Sequence, residues 1–267
     1  MSRVIILMYH VIDVPRAAAE QRYCCSPHRF AEQMRYLCDS GRRLLSLDEL
    51  AERMERGVPF DDGSVAVTFD DGFDDTVKNA LPVLQKCRVP ATMFLLSDRF
   101  GAANNWADGR GFPRRGLLTL AAARELLAAG VTVGSHTRTH PRLTELDEAR
   151  VEAEVGGSKS SLEAEIGGTV QHFAYPFGLF DDRVVAAVRR AGFRTACSTR
   201  SGFNRSNADP YTLRRIEVFG TDSMAAFKRK LQFGVNDPSI MVPARYSASR
   251  IAGRFRRVER KLGGSAR

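Results

Sequence analysis

The chain has 267 residues, of which 43% are hydrophobic and 27% charged, a balance that fits one large α/β barrel-type domain with an appendage, or two small soluble domains. The longest apolar run near the start, residues 4–8, is too short for a bilayer span or a secretory leader, so a cytoplasmic chain is expected. Of the net charge of +9, all is carried by residues 228–267, where eleven Lys or Arg face only Asp237 and Glu259; basicity therefore describes the C-terminus and not a catalytic cleft.

Short apolar runs alternate with helical patterns almost throughout, which predicts βα units around a parallel sheet. In chain order, strands are predicted at 4–11, 65–69, 91–96, 131–135, 172–176, 195–199 and 213–218. Helices are predicted between them at 27–39, 75–87, 119–129, 147–166, 181–191 and 223–233. Ser46, with Glu49 three residues on, predicts a further short helix opened by a reciprocal capping box. Gly130 and Gly192 directly follow helical patterns, as left-handed C-caps do. Seven such units predict a distorted (β/α)7 barrel, with a doubly wound open sheet as the second choice. Either fold gathers functional residues beyond the C-terminal ends of the strands.

Polar residues do collect at those ends. Strand 65–69 runs into Asp70, Asp71 and Gly72. Adjacent side chains on an extended backbone point apart, so one carboxylate can ligate a metal while the other faces substrate. Asp74 and Asp75 read as helix-capping acids. Strand 131–135 runs into His136 and His140, whose spacing lets both imidazoles meet one cation if the segment coils just past the strand. Two imidazoles and a carboxylate suit zinc or a similar divalent metal and leave positions open for water and substrate. Strand 172–176 runs into Pro176, Phe177 and Gly178, which predicts a fixed turn offering the Phe177 amide as an oxyanion donor, with Tyr175 and Phe177 as rings for a sugar face. Tyr9 and His10 end the first strand. The five cysteines, Cys24, Cys25, Cys38, Cys87 and Cys197, are odd in number and lack C-x-x-C spacing, which argues against a disulfide framework and a thiolate zinc site. Cys87 and Cys197 are expected in the core.

In order and spacing, Thr68 to Gly72 followed by His136 to His140 resembles the first two motifs of the polysaccharide deacetylase family, carbohydrate esterase family four. Phe173 to Gly178 resembles the third. The resemblance implies that Asp70 is the general base, that Asp71, His136 and His140 hold a divalent metal, and that Phe177 gives its amide to the oxyanion. Two family features are missing: Ala174 stands where many members carry a base-orienting arginine, and no histidine follows His172 to serve as general acid. Both gaps, with the Leu7-Met8-Tyr9-His10 segment, resemble the circularly permuted exopolysaccharide deacetylases, in which the acid histidine lies on the first strand. That maps the acid onto His10, and Arg215 on the last strand is the candidate for the missing guanidinium. The implied activity is metal-dependent removal of N-acetyl groups from a glycan, which extends to exopolysaccharide or lipid-linked precursors. A metal amidohydrolase acting on a small non-sugar amide and a decayed glycan-binding module remain the alternatives.

The catalytic body is expected to span residues 1–235 and a basic tail residues 236–267. In that tail Ile251, Phe255, Val258 and Leu262 recur at helical spacing among Arg250, Arg254, Arg256, Arg257, Arg260 and Lys261. Such a helix either packs on the barrel with a solvated charged face or lies at an anionic membrane surface. Aromatics near it are sparse, so no nucleic-acid partner is expected.

Overall fold

A computed structural model describes residues 2–237. The basic helix expected beyond them, with its membrane contact, lies outside the described residues. Among the described residues no helix is long and apolar enough to cross a membrane.

Seven parallel strands form one sheet: β1 (Val4–Tyr9), β2 (Ser64–Phe69), β3 (Ala91–Leu95), β4 (Thr132–Ser135), β5 (His172–Ala174), β6 (Thr195–Cys197) and β7 (Ile216–Glu217). Their order is β6-β5-β4-β3-β2-β1-β7. The sheet curls because the segment entering β7 touches both of its edges. Leu213 bridges Cys197 of β6 in parallel, its N–H donating to the Ala196 carbonyl at 2.9 Å. Three residues later Ile216 pairs with Leu7 of β1. This change of partner explains why β7 is two residues long where 213–218 was expected. Likewise β5 ends before Pro176, which has no N–H to give to a ladder.

Among the described residues seven α-helices surround the sheet: α1 (Pro27–Asp39), α2 (Leu47–Glu55), α3 (Leu81–Cys87), α4 (Leu120–Ala128), α5 (Glu148–Ile166), α6 (Asp182–Arg190) and α7 (Met224–Phe233). Six begin as the sequence predicts, with Ser26, Ser46, Thr119, Asp147, Asp181 and Ser223 each accepting a first-turn amide. At α2 the return half of the expected capping box is replaced, because Glu49 pairs instead with Arg43 at 2.6 Å and Arg53 at 3.3 Å. The helix expected at 75–87 divides into a π-helical turn over Thr76–Ala80 and then α3. Pro82 lacks the amide that would bond the carbonyl of residue 78, so the preceding turn widens.

Period-two alternation sorts the strand residues. Ile5, Leu7 and Tyr9, with Val65, Val67 and Phe69, pack outward in the main core with Phe30, Met34 and Leu37 of α1. Val4, Ile6 and Ala66 point inward, where Leu47 and Leu50 of α2, with Leu45 and Phe60, fill the base of the barrel. The same parity turns Thr68 and Asp70 to the interior. All five cysteines are free. Cys197 is buried as expected, whereas Cys87 is only half-buried.

Candidate active site

The first pair of acids leaves β2 in opposite directions. Asp70 keeps the inward parity of the strand and is 2% exposed. Inside the barrel it meets Arg215, which is fully buried and grips both carboxylate oxygens, with Nη1 to Oδ1 at 2.6 Å and Nη2 to Oδ2 at 2.7 Å. Arg215 is itself anchored through Nε to the Ser198 carbonyl at 2.9 Å and through Nη1 to the Thr68 hydroxyl at 3.2 Å. Its neighbour Arg214 is exposed and donates to the Ser201 carbonyl, as alternation along a strand requires. Burial alone would lift the Asp70 carboxyl, but the charges of Arg215 and then His136 outweigh it and hold the group below the usual aspartate range.

Asp71 is turned away from Asp70 by a left-handed backbone, φ 71°. Its Oδ1 lies 3.3 Å from Nε2 of His136 and 3.3 Å from Nε2 of His140. Donor atoms of the three side chains all fall within 4.8 Å of one another, and all three residues are buried. The His136 Nδ1–H donates to the Ala174 carbonyl at 2.7 Å, which fixes the tautomer and leaves Nε2 as the lone-pair nitrogen facing the centre. Ala174 is therefore the backbone support of one imidazole. His140 is oriented by packing, its ring centroid 4.7 Å from that of Trp106 and 4.6 Å from that of Phe177. Burial would raise the Asp71 carboxyl, but the imidazoles of His136 and His140 beside it hold it well below its ordinary value. Burial pushes His140 down; at His136 the opposing pull of Asp71 and Asp70 prevails and raises the ring. A buried carboxylate oxygen shared by two imidazole nitrogens, one of them fixed as a lone-pair donor, fits a divalent cation.

The loop holding the two histidines is strained and braced. Thr137 and His140 have φ of 75° and 67°. The Arg138 and Thr139 amides both donate to Glu154 Oε2 of α5, at 2.9 and 3.0 Å, and the Thr139 hydroxyl donates to Oε1 at 2.7 Å. On the other side the Ser97 and Asp98 amides bond the carbonyls of Thr137 and Arg138. Of the five non-glycine residues at positive φ among the described residues, four are Asp71, Thr137, His140 and Phe177, so left-handed backbone concentrates at this site.

At Phe177 φ is 58°. The turn closes through Gly178 N–H to the Tyr175 carbonyl and Leu179 N–H to the Pro176 carbonyl, without using the Phe177 amide. Gly178 is required, because a Cβ there would stand 2.0 Å from the Thr199 hydroxyl. Tyr175, expected at the sugar face, is instead fully buried; its hydroxyl donates to the Tyr211 carbonyl at 2.9 Å and its ring stacks on Phe180. Strand parity sends its side chain outward and leaves the cleft to Phe177. Asp75 also departs from expectation. Its carboxylate caps no helix amide of its own turn and accepts the amide of Ile12.

A cleft of about 330 Å³ joins Asp70, Asp71, His136, His140, His10 and Phe177. His10 is half-buried at the end of β1, its ring edge-on to Tyr23 at 5.4 Å. The walls come from residues that periodicity did not single out: Tyr23 after β1, and Trp106, Arg110, Phe112 and Arg115 in the long stretch between β3 and α4. Arg115, 3% exposed, ties the two walls together through Glu20 at 2.8 Å and Asp13 at 2.9 Å. The available signal was the 24-residue aperiodic segment 96–119, since connections of that length without regular structure are often functional.

Residues 57–196 match the family model for polysaccharide deacetylase. The chain belongs to the polysaccharide deacetylase family. It is an enzyme of carbohydrate esterase family four that acts on N-acetylated polysaccharide. A poly-beta-1,6-N-acetyl-D-glucosamine N-deacetylase of Staphylococcus aureus is 24% identical over 208 residues, 74% of this chain and 69% of that one. Among solved structures, the deacetylase PplD of Streptococcus pyogenes superposes with a TM-score of 0.74 at 23% identity, covering 87% of this chain and 98% of its own. IcaB from Ammonifex degensii gives 0.67 at 26% identity, covering 82% and 92%. The deacetylase barrel of these neighbours is the fold described above. His10 and Arg215 both lie outside the matched span 57–196.

Proposed function

We propose that this enzyme removes N-acetyl groups from acetamido sugars of an exopolysaccharide-type glycan with the help of a divalent cation, zinc being the ion best suited to the donor set. The observation that carries the reading is the convergence of three buried donors, Asp71, His136 and His140, beside a carboxylate clamped by a guanidinium at the floor of one cleft. The similarity to a poly-beta-1,6-N-acetyl-D-glucosamine N-deacetylase supports the substrate class. When bound, the cation would supply a Lewis acid that polarises the acetyl carbonyl and lowers the pKa of water to about 7.

The chain's own residues do the rest. Asp71, His136 and His140 hold the ion, and Glu154 keeps the histidine loop in place. Asp70, ionised and aimed by Arg215, takes the proton from the attacking water, a contribution of about 10²–10⁴-fold. The Phe177 amide donates to the oxyanion as the carbonyl carbon becomes tetrahedral, a role whose loss costs roughly 3–4 kcal/mol in comparable sites. His10, protonated, gives its proton to the departing amine.

Metal content and single-turnover acetate release from N-acetylglucosamine oligomers test this assignment. Asp70→Asn is expected to keep the metal and lose at least ~10²-fold in rate, and His136→Ala to lose both. His10→Ala should slow turnover at full metal occupancy. A fully active Asp70→Asn enzyme, or a pure sample that takes up no divalent ion, rejects the reading.

A further inference from the structure

Arg110, which lines the cleft, and Arg142 beside it add positive charge around the Phe177 ring beyond what the cleft's own carboxylates hold. Each carboxylate lining it already has a cation. Asp70 is held by Arg215, Glu20 by Arg115 at 2.8 Å, and Glu217 by Arg22 at 2.8 Å. Asp71 faces two imidazoles and the proposed ion. Arg110 also lines the cleft, yet among the described residues it makes no ion pair, and its nearby acid, Asp108, is taken by Arg114 at 2.7 Å. The Arg110 guanidinium lies 5.9 Å from the centroid of the Phe177 ring, and that of Arg142 lies 4.7 Å from the same centroid. Among the described residues the ion-pair partner of Arg142 is the solvent-washed Glu145 at 3.8 Å, the acid's side chain 68% exposed, which neutralises it weakly. Two guanidiniums thus border the ring that stands against His140 at the rim of the reaction centre.

From this balance we infer that the substrate is an anionic glycan, carrying a carboxylate or phosphate on the sugar next to the acetamido unit, and that Arg110 and Arg142 select it. A guanidinium fork matches either anion through paired N–H donors. Phe177 holds both side chains alongside the bound chain by cation–π contact, so each is partly oriented before the anion arrives. A neutral glycan would leave both charges unanswered at the lip of the site whose Asp71, His136 and His140 would hold a divalent cation. The inference rests on the deacetylase reading above and narrows its substrate.

The test compares kcat/KM for acetate release on three synthetic oligosaccharides: an all-N-acetylglucosamine chain, the same chain with one neighbouring glucuronate, and the same chain with one neighbouring phosphate ester. At low ionic strength a charged substrate should be preferred about tenfold or more, and the preference should shrink as salt rises. Whichever charged arm shows the larger ratio identifies the anion. Arg110→Gln combined with Arg142→Gln should bring the charged-to-neutral ratio close to one, and Arg110→Glu should carry it below one. Equal turnover of all three substrates, or a preference that survives the double substitution, overturns the inference alone. No acetate from any of them, at full metal loading, overturns the deacetylase mechanism and this inference with it.

Discussion

Asp70 and Arg215 illustrate how a buried ion pair ties two side chains into one energetic unit. Both groups are out of water, and each alone would be a desolvated charge of several kcal/mol in cost. Together they satisfy one another through two short bonds, while Thr68 and Ser198 satisfy the rest of the guanidinium. Removing one partner is therefore worse than removing both. We expect Arg215→Met to lose about 3–5 kcal/mol in urea denaturation, and the double variant with Asp70→Asn to recover part of that loss. Strict additivity of the two substitutions would contradict the coupling. In the sequence this pairing was legible only through the family resemblance, which made Arg215 the candidate; that Arg215 faces inward and Arg214 outward came from the strand parity of the structure. Tyr175 shows the same rule working against expectation: its neighbours mark a site, but alternation sends its ring into the core.

At the level of elements, the strand ends were the readable part. Asp70, Asp71, His136 and His140 stand just beyond β2 and β4, because buried parallel strands write apolar runs and their polar successors become conspicuous. Cleft walls were not readable, since Tyr23, Trp106 and Phe112 come from connections that carry no period. The support of the histidine loop was equally hidden: Glu154 is an ordinary-looking acid on α5, yet three donors of the 137–140 segment converge on it. Without it the left-handed turns at Thr137 and His140 lose the bonds that hold them. Glu154→Ala should therefore weaken divalent-ion affinity about 10–100-fold, the range typical of lost outer support, as read by competition with a chelating dye. Unaltered affinity would mean that the strands alone place His140.

Over the whole molecule, one buried group works against stability. Burial, the first of its influences, pushes the Asp75 carboxyl up from 3.8 to about 6, despite the amide of Ile12 that it accepts and the charge of Arg115. The sign follows from proton counting. Below its ordinary value the group is protonated in both states; between there and about 6 the unfolded chain gives up its proton first, so stability falls as pH rises through that window. The loss is at most about 3 kcal/mol, from roughly two units at 1.36 kcal/mol each. Asp75→Asn keeps an acceptor for Ile12 without the charge. It should raise the denaturation midpoint at pH 7 more than at pH 4; a gain independent of pH, or a loss at both, would refute the account.

The seam at Leu213 to Glu217 has a consequence for biosynthesis. Asp70 emerges from the ribosome early, with the second strand, while the guanidinium that neutralises it is translated about 145 residues later, on the same stretch that joins the two sheet edges. A polypeptide lacking that stretch would contain Asp71, His136 and His140 but neither the seam nor the counter-charge of Asp70, so the floor of the cleft is complete only once the last strand is in place.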